Sequence, residues 1–233
     1  FTGQGSQYLN MGMELAERFE IVQQTFDEAE AIFQQEVGVS LSALIKGDPS
    51  LSLEERETQL KDTRIAQPAT LAMDIAIARL LHSFGVEADM VAGHSLGEYA
   101  ACVVAGIMTF TEAIQAVSAR GREMAAIVLD DTGKMASVAA GMDKVQPLLD
   151  SIEEYVIAAN KNCPSQTVIA GSSSGVEAMI ARCKEEKIRC QELPVSHAFH
   201  SEIVAPAAIP LKNFLSSLNL KSPQLPISTN VTG

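Results

Sequence analysis

The stretch Val91–Ala101, VAGHSLGEYAA, decides the fold class of this chain. An apolar run precedes Gly93, helix-forming residues follow Gly97, and Ser95 lies between the two glycines. A strand, a tight turn and a helix in this order are typical of a nucleophile elbow, which presents a serine hydroxyl at the end of an α/β sheet. In that geometry the backbone N–H of Leu96 can donate a hydrogen bond to an oxyanion.

The pattern alone does not identify the nucleophile, because GSSSG around Ser173 matches it as well. That stretch also follows an apolar run and precedes a helical pattern. Ser174 and Glu177 have the S-x-x-E spacing of a capping box, which accounts for these serines as helix-start residues. Ser95 and Glu98 share the spacing, so a capping role stays open there too. Three successive serines in a small predicted insert are typical of a flexible polar turn, which favours Ser95 over Ser173 as the nucleophile.

Composition restricts the class of protein. The chain has 233 residues, of which 47% are hydrophobic and 20% charged, as expected for one large globular domain or a domain with an insert. Its net charge of −12 argues against nucleic acid binding. Neither a membrane-spanning apolar run nor a signal peptide is found in the sequence. The four cysteines have no C-x-x-C spacing, which predicts thiols in a reducing, cytoplasmic location and no zinc site.

The first part of the chain is mainly helical by pattern. Pro68 in the first turn and Gly85 at the C-terminal end bound a long, buried helix. Thr109 or Thr111 is the expected N-cap of a later helix. The predicted helices cover 11–19, 21–34, 66–85, 97–108 and 109–128, and a strand at 88–93 leads into Ser95.

Beyond about residue 132 the pattern changes to short strands. Their order with two helices is β-α-β-β-α-β, that of the split βαβ, ferredoxin-like unit. We therefore predict an α/β fold with two parts. Residues 1–131 and 197–233 form a large α/β-hydrolase-like domain with a parallel sheet, and residues 132–196 form an inserted ferredoxin-like subdomain.

A nucleophilic serine needs a general base, and the chain has four histidines. His82 lies late in the long helix, where a structural role is expected. His94 adjoins Ser95, and adjacent residues on a tight turn point apart. His197 and His200 follow the predicted subdomain, and a base that follows the nucleophile matches the order found in hydrolases. No carboxylate stands out to orient the base among the surface candidates Asp130, Asp131 and Glu192.

Seven motifs occur in one order along almost the whole chain. They are GQGSQ at 3–7, AQPA at 66–69, GHSLGEYAA at 93–101, ARGREM at 119–124, NCPSQTVIAG at 162–171, HAFHS at 197–201 and STNVTG at 228–233. Together they resemble the malonyl-CoA:acyl carrier protein transacylase family, and more closely the acyltransferase domains of modular polyketide synthases. Each motif is weak alone, and the resemblance rests on all seven in register.

The resemblance implies catalytic roles. Ser95 would be the nucleophile that carries the acyl group, and His200 the general base, oriented by a main-chain carbonyl rather than by a carboxylate. His197 would be a structural neighbour. The backbone N–H groups of Gln4 and Leu96 would form the oxyanion hole.

The resemblance also implies substrate contacts. Arg120 would bind the free carboxylate of the extender unit through paired hydrogen bonds that lysine cannot reproduce. From the residues alone, Arg120 reads as a surface arginine, as Arg122 does. Gln67 lies in a motif close to the family's active site. In the resembled synthase domains, phenylalanine at the position of Phe199 is typical of domains that use malonyl, and serine is typical of domains that use methylmalonyl. The physical reason would be that the ring occupies the space of an α-methyl group.

By this resemblance the chain is an acyltransferase that needs no bound cofactor or metal. It would move malonyl from malonyl-CoA to the phosphopantetheine thiol of an acyl carrier protein in polyketide or fatty acid synthesis, with a ketosynthase as the expected neighbour in a synthase. A serine hydrolase or thioesterase and a non-catalytic relative are the alternatives.

The ends of the chain suggest an internal piece of a longer polypeptide. The chain begins at Phe1 without an initiator methionine. Against the family pattern, the strand before GQGSQ is reduced to Phe1 and Thr2, and a C-terminal segment with a further active-site glutamine is absent.

Overall fold

A computed structural model describes residues 1–231, so the last two residues of the STNVTG motif and of the predicted range 197–233 lie outside the described residues. The chain divides into two compact units. One comprises Phe1–Ala125 and the residues from Leu211 onward, and the other comprises Ala126–Pro210. The predicted subdomain, 132–196, lies within the second unit, and its assignment as a domain stays a prediction.

The secondary structure alternates between helical and strand-rich stretches. In chain order the elements are α1 (Met13–Arg18), α2 (Glu20–Val37), α3 (Leu41–Lys46), α4 (Leu53–Lys61), α5 (Thr63–Ser83), β1 (Val91–Ala92), α6 (Gly97–Val104), α7 (Phe110–Ala125), β2 (Lys134–Val138), α8 (Met142–Leu149), β3 (Val156–Cys163), β4 (Gln166–Gly171), α9 (Ser173–Glu185), β5 (Cys190–Glu192), a 3₁₀ helix (Glu202–Ala207), α10 (Ala208–Ser216) and β6 (Ile227–Ser228).

The core of the first unit is formed where α2, α5 and α7 pack together. Helical spacing buries Val22, Phe26 and Phe33 along one face of α2. Ile75 of α5 and Ile114 of α7 are buried in the same cluster. Each such side chain contributes about 1.5–3 kcal/mol by leaving water.

The start of α5 differs from the prediction. Asp62 is its N-cap and accepts a hydrogen bond from the Arg64 N–H (2.9 Å), so the helix begins at Thr63. Pro68 is therefore the sixth residue of the helix, and its predicted place in the first turn is wrong. The C-terminal end is confirmed, because Gly85 has a left-handed φ of 79° just beyond the last turn.

The N-cap of α7 is Thr109, which resolves the alternative with Thr111. The Thr109 Oγ1 accepts from the Glu112 N–H (3.2 Å), and the Glu112 Oε2 accepts from the Thr109 N–H (2.7 Å). This is a capping box. Thr109 is the N-cap because Glu112, three residues later, can return a hydrogen bond to the Thr109 backbone.

The parallel sheet that the sequence predicts pairs β1 with β6, with Val91 opposite Ile227 and Ala92 opposite Ser228. Phe1 runs alongside, since its amino group donates to the Ala92 carbonyl (2.9 Å) and its carbonyl accepts from the His94 N–H (3.0 Å). The predicted strand at 88–93 is shorter than expected because the backbone leaves the sheet after Ala92 to form the turn at Ser95.

The second unit is built on an antiparallel sheet with the strand order β3-β4-β2-β5. The helices α8 and α9 complete the predicted order β-α-β-β-α-β, so the ferredoxin-like fold is confirmed. Its core contains Val138 and Ile169 from the sheet and Val145 and Met179 from the two helices.

No helix within residues 1–231 is both long enough and apolar enough to cross a membrane.

Candidate active site

Ser95 lies in the turn between β1 and α6 and has a φ of 52°. A residue with a Cβ is disfavoured in this left-handed region by about 1–3 kcal/mol, and active sites are among the places where such strain is retained. The eight residues of α6 follow directly, so the positive end of its dipole faces the turn. The turn therefore has the backbone geometry of the predicted nucleophile elbow.

Close packing explains both glycines of the G-x-S-x-G pattern. A Cβ at Gly93 would lie 2.0 Å from the carbonyl carbon of Gly97. A Cβ at Gly97 would lie 2.6 Å from the carbonyl oxygens of Phe1 and Thr2. The two glycines thus let the strand, the start of the helix and the N-terminal segment meet at Ser95.

The S-x-x-E spacing at Ser95 does not form a capping box. Leu96 is the N-cap of α6 and makes no side-chain cap. The Glu98 N–H donates to the backbone carbonyl of Ser95 (3.1 Å), and the Glu98 Oε1 accepts from the Asn230 N–H (2.9 Å). The N-cap of α6 therefore lies one residue after Ser95.

The second GSSSG match begins a helix, but the predicted capping pair, Ser174 and Glu177, is wrong. Ser172 is the N-cap of α9 and accepts from the Gly175 N–H (3.1 Å). Glu177 instead accepts from Lys134 Nζ (2.8 Å). The cap lies earlier than predicted because β4 ends at Gly171 and the next residue already has the extended conformation that an N-cap requires.

Ser173 is held by a carboxylate. Its Oγ donates to Asp131 Oδ1 (2.6 Å) and its N–H donates to Asp131 Oδ2 (2.8 Å). The bond from the Ser173 hydroxyl is the main reason why the pKa of Asp131 is lowered. Asp131 therefore orients a helix start, and Ser173 has a structural partner.

The segments that carry the predicted oxyanion donors, the GQG turn and the elbow, lie against each other in the first unit. A Cβ at Gly3 would lie 2.6 Å from the His94 carbonyl oxygen, so the GQG turn lies against the elbow. Among residues 1–231, neither the N–H of Gln4 nor that of Leu96 donates to a protein acceptor. Both groups are available to an oxyanion, and their role stays a prediction.

Gln67 lies wholly inside the protein, with 0% of its surface exposed. Its Nε2 donates to Gln4 Oε1 (3.4 Å), and Gln4 Nε2 donates to Thr63 Oγ1 (3.3 Å). The Gln67 Oε1 has no hydrogen-bond partner among the described residues. This arrangement allows Gln67 to position the GQG turn, whereas its predicted contact with substrate stays a prediction.

Arg120 lies near the end of α7 and is mostly buried. Burial lowers the pKa of its guanidinium, and the nearby Tyr99 opposes this shift. None of the ion pairs among the described residues includes Arg120. Arg122, in contrast, is 52% exposed and lies beside Glu123, as expected for a surface arginine. A buried cation without a carboxylate partner is suited to an anionic ligand.

The histidines of the HAFH motif differ in environment. His197 is buried, and its Nδ1 lies 3.1 Å from Ser196 Oγ. The Phe199 ring is also buried, with its centroid 6.2 Å from that of His197. His200 is exposed and has a φ of 59°, so it is strained like Ser95. His82 is a surface residue 3.2 Å from Glu87.

Asn230 is a residue that the sequence reasoning missed, since STNVTG served only as a family motif. Its side chain and backbone form hydrogen bonds with Gly93, Ser95 and Glu98. One apolar strand ends three residues before Ser95, and another ends two residues before Asn230. If the sequence had been interpreted as pairing these strands in parallel, it would have indicated this contact.

Comparison with known proteins agrees with this geometry. The model of the family described as acyl transferase domain matches residues 1–233. The chain is 37% identical to the malonyl CoA-acyl carrier protein transacylase of Bacillus subtilis, covering 100% of this chain and 71% of that protein. It is 34% identical to a phenolphthiocerol synthesis polyketide synthase of Mycobacterium marinum, covering 100% of this chain and 10% of the synthase.

Solved structures give the same result. The acyltransferase domain from the second module of the salinomycin polyketide synthase has a TM-score of 0.87 and 35% identity, covering 100% of this chain and 52% of that one. An acyl carrier protein S-malonyltransferase from Vibrio cholerae has a TM-score of 0.86 and 38% identity, covering 100% of this chain and 74% of that one.

Elbow geometry predicts that a fluorophosphonate probe labels Ser95. The Ser95 hydroxyl would attack the phosphorus atom of the probe and displace fluoride. Tandem mass spectrometry then identifies the residue that carries the adduct. We expect Ser95→Ala to abolish labelling and Ser173→Ala to retain it, because the Ser173 hydroxyl already donates to Asp131. An adduct on Ser173, or labelling that survives Ser95→Ala, would contradict the assignment.

Proposed function

The chain belongs to the acyl transferase domain family, and we propose that it transfers a malonyl group from coenzyme A to the phosphopantetheine thiol of an acyl carrier protein. The observation that carries the proposal is the strained Ser95 at the N-terminus of α6, next to the Leu96 N–H, which has no acceptor within residues 1–231. The similarity of this whole chain to a malonyl CoA-acyl carrier protein transacylase supports the choice of donor and acceptor.

The reaction has two symmetrical halves. In the first, Ser95 Oγ attacks the thioester carbonyl while His200 accepts the hydroxyl proton. The N–H groups of Leu96 and Gln4 stabilise the oxyanion, and loss of one such donor typically costs about 10²–10³ in rate. The tetrahedral intermediate then expels the coenzyme A thiolate, which takes the proton from His200 and leaves an ester on Ser95.

In the second half the phosphopantetheine thiol gives its proton to His200 and attacks the ester. Collapse of the second intermediate releases Ser95, which recovers the proton, and leaves the malonyl thioester on the carrier protein. Neither half consumes water or needs a redox partner.

Arg120 gives the proposal its substrate class. A malonyl group ends in a carboxylate, which a planar guanidinium binds through two charge-assisted hydrogen bonds. A simple serine hydrolase or thioesterase has no need for a mostly buried cation that forms no ion pair within residues 1–231. Arg120 therefore favours the transferase over that alternative.

The partner that we propose is an acyl carrier protein. One structural relative, with a TM-score of 0.88 and 36% identity, is a type II polyketide synthase malonyl-transacylase in complex with its acyl carrier protein. A ketosynthase neighbour within a longer synthase is a further proposal, supported by the similarity to polyketide synthases. The cytoplasm stays the predicted compartment.

Incubation with malonyl-CoA tests the proposal by intact-protein mass spectrometry. We expect the wild-type protein to gain one malonyl group. Because His200 is assigned as the base, His200→Ala should slow acylation by about 10²–10⁴-fold. His197→Ala is the matched control and should slow it much less. No malonyl adduct on the wild type would contradict the proposed function, and a larger loss with His197→Ala would reverse the histidine assignment.

Arg120→Ala should lower kcat/KM for malonyl-CoA far more than for acetyl-CoA. Only the malonyl group has a carboxylate to pair with the guanidinium, and removing one member of a buried charged hydrogen-bonded pair costs about 2–5 kcal/mol. Arg122→Ala, at an exposed position on the same helix, is the control. Equal losses for both thioesters would show that Arg120 supports the fold or binds coenzyme A.

Phe199→Ser should relax the preference for malonyl over methylmalonyl. In the resembled synthase domains a phenyl ring at this position occupies the volume that an α-methyl group needs. A single methyl in a tight pocket changes discrimination by about 1–3 kcal/mol, or 10–200-fold. Competition between the two thioesters and a melting curve measure the effect. A wild type that prefers methylmalonyl-CoA, or a variant that loses both activities together with its Tm, would contradict this role.

A further inference from the structure

We propose that Asn230 is a positioning residue that holds the nucleophile elbow in its strained conformation. The proposal rests on the acyl transfer reaction proposed above, for which it names a residue that acts through Ser95 without contacting substrate.

The sheet topology brings Asn230 to the elbow. The strands β1 and β6 are parallel, with Ala92 opposite Ser228. Parallel strands end at the same edge of a sheet, so the residues that follow the two strands lie side by side. Asn230 comes two residues after β6, and Ser95 comes three residues after β1.

The Asn230 amide bridges the two sides of the turn. Its Oδ1 accepts from the Ser95 N–H (2.6 Å), and its Nδ2 donates to the Gly93 carbonyl (2.6 Å). Asparagine suits this place because one short, planar side chain carries an acceptor and a donor together. Both bonds are made by backbone groups of the turn, so they constrain the dihedral angles of Gly93, His94 and Ser95.

A third hydrogen bond fixes Asn230 to the helix that follows the turn. The Asn230 N–H donates to Glu98 Oε1 (2.9 Å) in the first turn of α6. Asn230 is thus bonded before Ser95, at Ser95 and after Ser95. A left-handed residue persists only where its surroundings determine its conformation, and these three bonds supply that constraint.

The arrangement also selects the oxyanion donors. Because the Ser95 N–H donates to Asn230, it is not available to the substrate carbonyl. The next N–H along the chain, that of Leu96, has no acceptor within residues 1–231. Asn230 therefore leaves Leu96, with Gln4, as the donor that faces the reacting carbonyl.

The test compares Asn230→Ala with Asn213→Ala, a change of the same type at an exposed position on α10. Two readouts are used: kcat and KM for malonyl transfer, and the rate of fluorophosphonate labelling at Ser95. A displaced nucleophile slows chemistry by up to about 10²-fold without weakening binding. We therefore expect Asn230→Ala to lower kcat and the labelling rate by about 10–100-fold, with KM nearly unchanged, and Asn213→Ala to change neither.

Asn230→Asp separates positioning from folding. The introduced carboxylate keeps an acceptor for the Ser95 N–H but places a second acceptor against the Gly93 carbonyl. When protonated, the carboxyl can donate to that carbonyl. The activity of Asn230→Asp relative to wild type should therefore rise as the pH falls, while a histidine-dependent wild type becomes slower.

Three outcomes would overturn the proposal. Asn230→Ala could retain the wild-type kcat and labelling rate. The lower activity of Asn230→Ala could be explained by a smaller fraction of protein that the probe labels, with the labelling rate unchanged. That result would indicate a smaller folded fraction and not a displaced nucleophile. Asn230→Asp could show no gain relative to wild type at low pH. If the wild type takes no malonyl group, the proposed function fails, but the probe labelling rates still test Asn230.

Discussion

The left-handed backbone at Ser95 is the constraint on which the rest of the first unit depends. A chain that turns so sharply between a strand and a helix brings Gly93 and Gly97 into van der Waals contact, where a Cβ on either would overlap backbone atoms. The same turn shortens β1 to two residues and sets the start of α6. Its strain is balanced by long-range contacts from Phe1 and Asn230, which are far from the turn in the sequence.

Buried polar groups around this turn form a second layer of organisation. Gln67 supports Gln4 through side-chain amides, and the fully buried position of Gln67 makes those weak bonds more valuable than they would be in water. Arg120 differs from these amides in carrying a charge, which burial disfavours and which none of the described ion pairs neutralises. Such an arrangement costs stability in the free protein, and an anionic ligand at the guanidinium would offset that cost.

The sequence pattern was sufficient to predict those features that depend on interactions between residues close together in the chain. The ferredoxin-like order of the second unit, the helix end at Gly85 and the α/β class follow from periodicity and turn residues. The pattern failed where several residues competed for one role. Asp62 extends α5 before Pro68, and Ser172 rather than Ser174 caps α9.

The site itself was predicted only in part, because its partners meet through tertiary structure. Ser95 carries a strand-turn-helix signal, whereas Arg120 on its own reads as an ordinary surface arginine, and its proposed contact with substrate comes from the family resemblance. Asn230 has no local signal at all, since its role depends on the parallel pairing of β1 with β6. Long-range pairing of this kind is invisible to periodicity within one element.

A transferase and a hydrolase built on this elbow differ in whether the acyl group passes to a thiol or to water, and we propose that it passes to a thiol. The most direct measurement isolates the malonyl-enzyme, divides it between buffer and holo acyl carrier protein, and follows both fractions by intact mass. We expect malonyl to persist on the enzyme in buffer and to appear on the carrier protein as soon as the two are mixed. Release of free malonate at the same rate in both fractions would contradict it and identify a hydrolase.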